Sequence, residues 1–356
     1  MSKNKDKGID FKGQHFYVGI DVHKKRWAVT IRHHDLTLRT YSMDPSPDLL
    51  VSQLVSHYPK GTYHVAYEVG FTGFWICRRF KELGIDCMVV SPADIPTAHK
   101  EKDRKTDPLD SNKLARELEN GNLIPLYVPT ESEQHLRSLC RLYRMIVQNN
   151  TRVKNRIKSH LALNGVQIDR ESSYWSGDFI AYLRNLPLDD GPSKSYLNIC
   201  LDELEEHRQR LVYILKELRS WVSQRELDRT IDTLRSVPGI GFKTAMILYT
   251  EIMDIHRFKR FDQLKSYAGL VPSTYSSGEN ERTRGLTHRR NRHLRYVLIE
   301  AAWIAIRKDP VLLQIYNELS RKMKKQEAII RIATKLLSRI RYVWMNDCSY
   351  VPGVIR

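Results

Sequence analysis

HFYVGIDVHKKRWAVTIRHHDLTLRTYSM, residues 15–43, is the stretch that decides the fold. HFYVGIDV (15–22) and RWAVTIRHH (26–34) read as adjacent strands rich in aromatic and β-branched residues, and LTLRTYSM (36–43) supplies a third. The sheet therefore begins as hairpins. Downstream, strand and helix patterns take turns. The Pro-Ser-Pro of DPSPDLL (44–50) starts a helix, YHVAYEV (63–69) is a strand, and FWICRRFKELG (74–84) is a helix ended by Gly84. DCMVVSP (86–92) is a further strand, and a basic loop leads from it into the helix DPLDSNKLARELENG (107–121).

Three strands followed by strand and helix units is the order of a ribonuclease-H-like α/β fold, here spanning residues 14–128. Strand signals fade in 129–235, where helical periods predict a coiled-coil spacer. Leu136, Leu139, Tyr143, Ile146, Asn150, Val153 and Ile157 form one heptad-spaced seam. Leu197, Leu201, Leu204, Leu211, Leu215 and Leu218 form a second, interrupted where Arg208 falls in register. The Gly- and Pro-bearing LPLDDGPSK (186–194) between them predicts an antiparallel helical hairpin. Residues 236–345 read as a helical domain punctuated by glycines.

At 356 residues the chain has room for two or three cores. Its 58 Lys and Arg against 41 Asp and Glu give a net charge of +17, which calls for a polyanionic partner, nucleic acid first. No run of about 18 apolar residues offers a membrane span, and the lysine-rich start lacks the apolar stretch of a signal peptide, so a cytoplasmic, nucleoid-associated protein is expected. The five cysteines are scattered, with no CxxC pair, and read as reduced packing residues.

The chemistry is sought in the acids. A phosphodiester repels its attacker, and phosphoryl-transfer sites commonly answer with two divalent cations held by hard carboxylate oxygens, so two Mg2+ ions are expected. Asp21 lies on an early strand between apolar neighbours, where an uncompensated charge is costly. Glu68 ends the apolar run HVAYE just before Gly70 and Gly73, where an α/β sheet opens into its crevice. Asp107 and Asp110 share one face at a helix start, near its positive end. Taken singly, Asp21 also suits a turn, Glu68 a helix start, and Asp107 and Asp110 an ordinary first turn. As a set, placed on the first strand, the fourth strand and a following helix, they are expected to converge on one pocket.

Three basic features accompany them. Arg137, Arg141, Arg144, Arg152, Lys154, Arg156 and Lys158 lie on the first spacer helix with no acid between them, and predict a nucleic-acid surface against the alternative of a plain basic face. Pro238-Gly239-Ile240-Gly241 before an apolar helix suits either the phosphate-binding turn of a helix-hairpin-helix, through Gly239 and Gly241, or a tight turn between packed helices. Arg282, Arg284, Arg289, Arg290, Arg292 and Arg295, with His288 and His293, form an acid-free run that predicts a second nucleic-acid contact. Just upstream, Tyr275-Ser276-Ser277-Gly278 reads by spacing alone as a turn.

GIDVHK, YEVGFTG and KTDPLD followed by LA, then PGIG, YAGLVP and SSG, resemble the DEDD insertion-sequence transposases and the related Piv-type DNA invertases, over residues 16–340. The resemblance implies a RuvC-like first domain whose four acids match Asp21, Glu68, Asp107 and Asp110. It also implies a catalytic serine at Ser277, DNA as donor and target, a homo-oligomer that is a dimer or tetramer, and, in RNA-guided members, a structured noncoding guide RNA. Two departures stand out. The family's EATG is here the longer Glu68-Val69-Gly70-Phe71-Thr72-Gly73, and the usual Gly before Asn291 is Arg290. Two rival readings remain open at this level: a RuvC-like nuclease that uses water in place of Ser277, and a non-catalytic basic coiled-coil scaffold.

Overall fold

The computed structural model describes residues 10–96, 106–168, 175–188, 191–277, 280–287 and 290–353. They fall into two compact units, Met1–Glu131 and Ser132–Arg356.

The first unit is built on β1 (His15–Val22), β2 (Trp27–His33), β3 (Leu36–Met43), β4 (Thr62–Glu68) and β5 (Asp86–Val90), in the order β3-β2-β1-β4-β5. The first three strands pair antiparallel, while β1, β4 and β5 run parallel. Helix α1 (Pro47–His57) begins where the sequence predicts, with the Ser46 hydroxyl accepting from Leu49 N at 3.2 Å and Pro47 preset for the first turn.

Alternation along β1 sorts the two faces. Phe16, Val18 and Ile20 enter a core with Leu50 and Leu54 of α1 and with Ile76 and Phe80 of α2 (Trp75–Glu82). Gly19 faces the other way, onto α3 (Asp107–Glu119), and a Cβ there would stand 2.1 Å from the Ser111 carbonyl oxygen and 2.5 Å from Ala115 N. Only a glycine lets helix backbone lie this close to the strand. Cross-links hold the contact: Thr30 and Ser111 hydroxyls meet at 2.8 Å, and buried Arg32 donates to Glu119 at 2.8 Å. Asp21, two residues beyond Gly19, thus shares the α3 side of the sheet.

The second unit opens with α4 (Glu131–Leu163) and α6 (Pro192–Gln224), each 33 residues. They run antiparallel, as Arg156 pairs with Glu203 and His160 meets Ser193. Leu136, Tyr143, Ile146, Val153 and Ile157 of the first seam are buried, while Leu139 and Asn150 are half-buried. In the second seam Leu197, Leu201, Leu204 and Leu218 are buried, Leu211 and Leu215 half-buried, and Ile214 and His207 turn inward instead of Arg208. The deviation has a cause: a straight helix drifts from a seven-residue repeat, and here the pair also packs against other helices. Its outer halves share a small core with Phe179, Ile180 and Leu183 of α5 (Gly177–Arg184). Its inner halves join the core of α7 (Asp228–Arg235), α8 (Phe242–Ile252), α9 (Phe261–Ala268), α10 (Arg292–Lys308), α11 (Pro310–Lys322) and α12 (Lys325–Met345). The 129–235 stretch therefore shares its inner core with 236–345.

One element corrects the helical expectation for the last section. β6 (Pro272–Ser277) and β7 (Asn280–Leu286) pair antiparallel as a hairpin, with Tyr275 opposite Arg282 and Ser277 opposite Asn280. Thr, Tyr and Ser in PSTYSS favour an extended backbone over a helical one, a local preference that the charge pattern of the segment obscured. Cys77, Cys87, Cys140 and Cys200 are buried and every cysteine is free. Among the described residues no helix is long and apolar enough to cross a membrane.

Candidate metal centre and nucleic-acid surfaces

Parallel pairing sets Ile20 beside Tyr67, so the next residues along, Asp21 near the end of β1 and Glu68 at the end of β4, lie side by side. Both follow residues buried in the α1–α2 core, so alternation turns them to the α3 side, and α3 starts with Asp107 and Asp110 in its first turn. His23 Nε2 stands 3.1 Å from Asp21 Oδ2 and 3.7 Å from Asp107 Oδ1, and one donor atom from each of the three residues falls within 4.8 Å of the others. Glu68 and Asp110 are half-buried nearby in sequence and topology, but outside that tight group.

The electrostatics agree with the geometry. Burial raises the Asp21 carboxyl above the usual carboxylate range, His23 draws it back, and Asp107 and Asp110 push it further up. Negative charge is concentrated here beyond what His23 balances. Hard carboxylate oxygens with one imidazole suit a divalent cation such as Mg2+ or Mn2+. The residues present fit such an ion. His23 was missed in the sequence, although its spacing of two from Asp21 carried the signal.

The basic helix divides in two. Arg137 Nε donates to the Thr250 carbonyl at 2.7 Å, and Arg141 grips Glu251 with two bonds of 2.7 and 2.8 Å. Arg144 donates to the Arg292 carbonyl at 3.2 Å and lies 4.3 Å over the Tyr296 ring. These three tie α4 to α8 and α10. Farther out, Arg152 meets Asn149, Lys154 sits over Trp175, Arg156 pairs with Glu203, and Lys158 is exposed.

Glu251, only 1% exposed, is the centre of this inner node, and also accepts from Asn291 Nδ2 at 2.8 Å. Burial pushes its carboxyl up, but Arg141 and Asn291 outweigh that and hold it below the usual range. Burial drives His293 down to about 4 against the pull of Glu251, and Arg141, Arg144 and Arg292 add to the lowering. The unfolded chain therefore binds a proton at His293 between pH 6.5 and about 4 that the folded chain does not, so stability falls as pH drops through that window. Glu251, depressed from 4.5, extends the loss to lower pH. Urea midpoints should decline across this range, and His293→Gln should flatten the upper part of the decline. A native midpoint independent of pH there would refute the buried node.

The turn Ser236–Gly241 joins α7 to α8 as a helix pair. Gly239 has φ +86°, and a Cβ would meet the Ala301 carbonyl oxygen at 2.3 Å, so the glycine seats the turn against α10. Gly241 caps α8 with open space around it. Arg282 and Arg284 belong to β7, and Ser277 ends β6. Arg289 and His288 lie outside the described residues. Arg290 and Arg292 are exposed, whereas Arg295 donates to the Thr287 carbonyl at 2.6 Å and braces the hairpin's base. Asn291 caps α10, its side chain accepting from His293 N and Leu294 N, so the Arg290 replacement leaves the helix start intact.

A family profile described as a DEDD transposase of the IS110 type matches residues 18–164, and one described as the transposase IS116/IS110/IS902 family matches residues 231–317. The chain is 28% identical over 292 residues to the putative transposase y4qE of Sinorhizobium fredii, covering 81% of this chain and 71% of the relative. It is 29% identical over 322 residues to y4rJ of the same organism, covering 82% and 79%. The pilin gene-inverting protein of Moraxella bovis is 31% identical over 116 residues, 32% of this chain and 36% of that one.

Proposed function

From a chain that carries the transposase domains of the IS110/IS116 insertion-sequence family, we propose a DNA recombinase that cuts and rejoins strands with a metal-bound RuvC-like site and a serine nucleophile. The observation that carries this reading is the convergence of the β1 end, the β4 end and the α3 start, which gathers Asp21 and Asp107 around His23 and lets Asp110 act on Asp21. Asp21, Glu68, Asp107 and Asp110 would hold two Mg2+ ions, which when bound neutralise the phosphate and assist the departing oxygen. Ser277 attacks phosphorus: its Oγ–P bond forms as the P–O3′ bond breaks, and the serine proton passes to the leaving 3′-oxygen. The 3′-hydroxyl of the new partner strand reverses the step, releasing Ser277 and sealing the joint. The acids belong to the first unit and Ser277 to the second, so catalysis requires both at one phosphate, supplied within a dimer or tetramer.

Guidance by a structured noncoding RNA is part of the same proposal. With Arg137, Arg141 and Arg144 bound within the fold, the RNA grip falls to Arg152, Lys154, Arg156 and Lys158. Donor and target DNA would meet the exposed Arg290 and Arg292 and the hairpin's Arg282 and Arg284. Sequencing nucleic acid copurified with the protein should return one structured RNA species. Reversing the four outer charges of α4 to Glu should lower RNA affinity far more than DNA affinity and reduce the RNA salt slope by about 3. Random cellular RNA in the first experiment, or equal losses in the second, would overturn the RNA role. Failure of the native protein, supplied with that RNA, to join element ends to target DNA would overturn the recombinase reading.

A further inference from the structure

Of nine phenylalanines and six tryptophans, only Phe71 and Trp75 are exposed, at 62% and 46%. They occupy the loop that leaves Glu68 and the first turn of α2, the segment where this chain is longer than the family's EATG. An apolar residue at the surface is ordinary, and exposed tyrosines occur elsewhere on the chain, but Phe71 and Trp75 both fall within seven positions of one candidate ligand. Leu109, between Asp107 and Asp110, is 49% exposed as well.

The loop is held from beneath. Tyr67 OH donates to the Gly73 carbonyl at 2.9 Å and accepts from Cys77 N at 3.3 Å, while Val69 N donates to the Val90 carbonyl at 2.9 Å. Gly73, at φ +61°, makes the turn before Phe74 drops back against the core. On the other side, Lys24 of the β1–β2 turn places its ammonium 5.6 Å from the Phe71 ring centroid, and Lys25 and Arg26 beside it are exposed. A ring face bordered by cations suits a nucleotide, whose base stacks and whose phosphate needs positive charge; it suits an apolar protein surface poorly.

Resting on the recombinase reading, we propose that Phe71 and Trp75 form a stacking platform for unpaired bases of the DNA strand beside the four-acid site. Duplex DNA offers no free base faces, so the platform selects strands opened at the cleavage point. It acts as a positioning device, fixing the strand while Lys24 holds the adjoining phosphate.

The test uses the full-length protein and a short single-stranded oligodeoxynucleotide carrying 2-aminopurine, whose fluorescence is quenched by ring stacking. Native protein should quench the probe. Phe71→Ala, Phe71→Leu and Trp75→Ala should each weaken single-strand binding about 5- to 150-fold and lose quenching, while Phe71→Tyr stays near native. Duplex affinity and Mn2+ affinity should not change in any of them. Native-like binding by Phe71→Leu would overturn stacking, and equal losses on duplex would overturn selection for open strands. Tighter binding of the same sequence as RNA would assign the platform to RNA and overturn the DNA assignment. The two readings separate cleanly: a cleavage-competent Asp21→Asn protein would sink the metal site and leave the quenching result standing.

Discussion

An Asp21→Asn protein is expected to bind DNA and RNA as the native chain does and to cut DNA about a hundred- to a thousandfold more slowly. Asparagine preserves the size of the side chain and a contact for His23, so the β1 end keeps its shape. What it loses is a charge that the fold has placed at a cost. Asp21 is half-buried, with Asp107 close by through His23 and Asp110 also raising its proton affinity, and a carboxylate so placed opposes folding unless a cation joins it. Thermal melts should show this directly. In chelator Asp21→Asn should melt higher than native, and added Mg2+ should raise the native melting temperature more than the variant's. Glu68→Gln, Asp107→Asn and Asp110→Asn should follow the same pattern in cleavage, with a smaller stability gain at Asp107, which is 64% exposed. Cleavage at the native rate by a folded Asp21→Asn protein would remove the metal-site assignment.

The parts of this architecture that could be read from sequence are those set by local pattern. Period-two alternation gave β1 to β5 their places, and the Pro-Ser-Pro before α1 gave a helix start that Ser46 caps. Glycine at position 19 was harder, because its meaning depends on α3 arriving about ninety residues later to lie on the strand. The basic helix shows the limit most clearly. Arg137, Arg141 and Arg144 looked solvent-facing because their neighbours on α4 carry no acid, yet the partner of Arg141 is Glu251 on α8, invisible to any local window. Charge runs report composition, whereas pairing is decided by which helices meet. The β6–β7 hairpin is masked in the sequence by the arginines of its second strand, and His23 by lying just past the strand that carries Asp21. In each case the missing information was tertiary.

Ser277→Ala should abolish the covalent protein–DNA intermediate altogether, a change from a trappable adduct to none. A serine hydroxyl is a weak nucleophile, but the ester it forms can hold the bond that a later rejoining step needs. Rejoining supplies that need: exchange of one phosphodiester for another conserves the bond, whereas hydrolysis by water discards it. On the proposed mechanism the product after attack is a 5′-phosphate bonded to Ser277 and a free 3′-hydroxyl. Ser277 closes β6 opposite Asn280, and it is the serine that directly precedes Gly278, while Ser276 pairs with Glu281 one step farther down the hairpin. Denaturing gels with end-labelled substrate should show a slow-migrating adduct for the native chain and for Ser276→Ala, and none for Ser277→Ala. Asp21→Asn should also fail to form it, since both parts must meet at one phosphate, and mixing Asp21→Asn with Ser277→Ala should restore it if those parts come from different subunits. An adduct that survives Ser277→Ala, or native protein that releases free 5′-phosphate ends without any adduct, would replace the serine mechanism with attack by water.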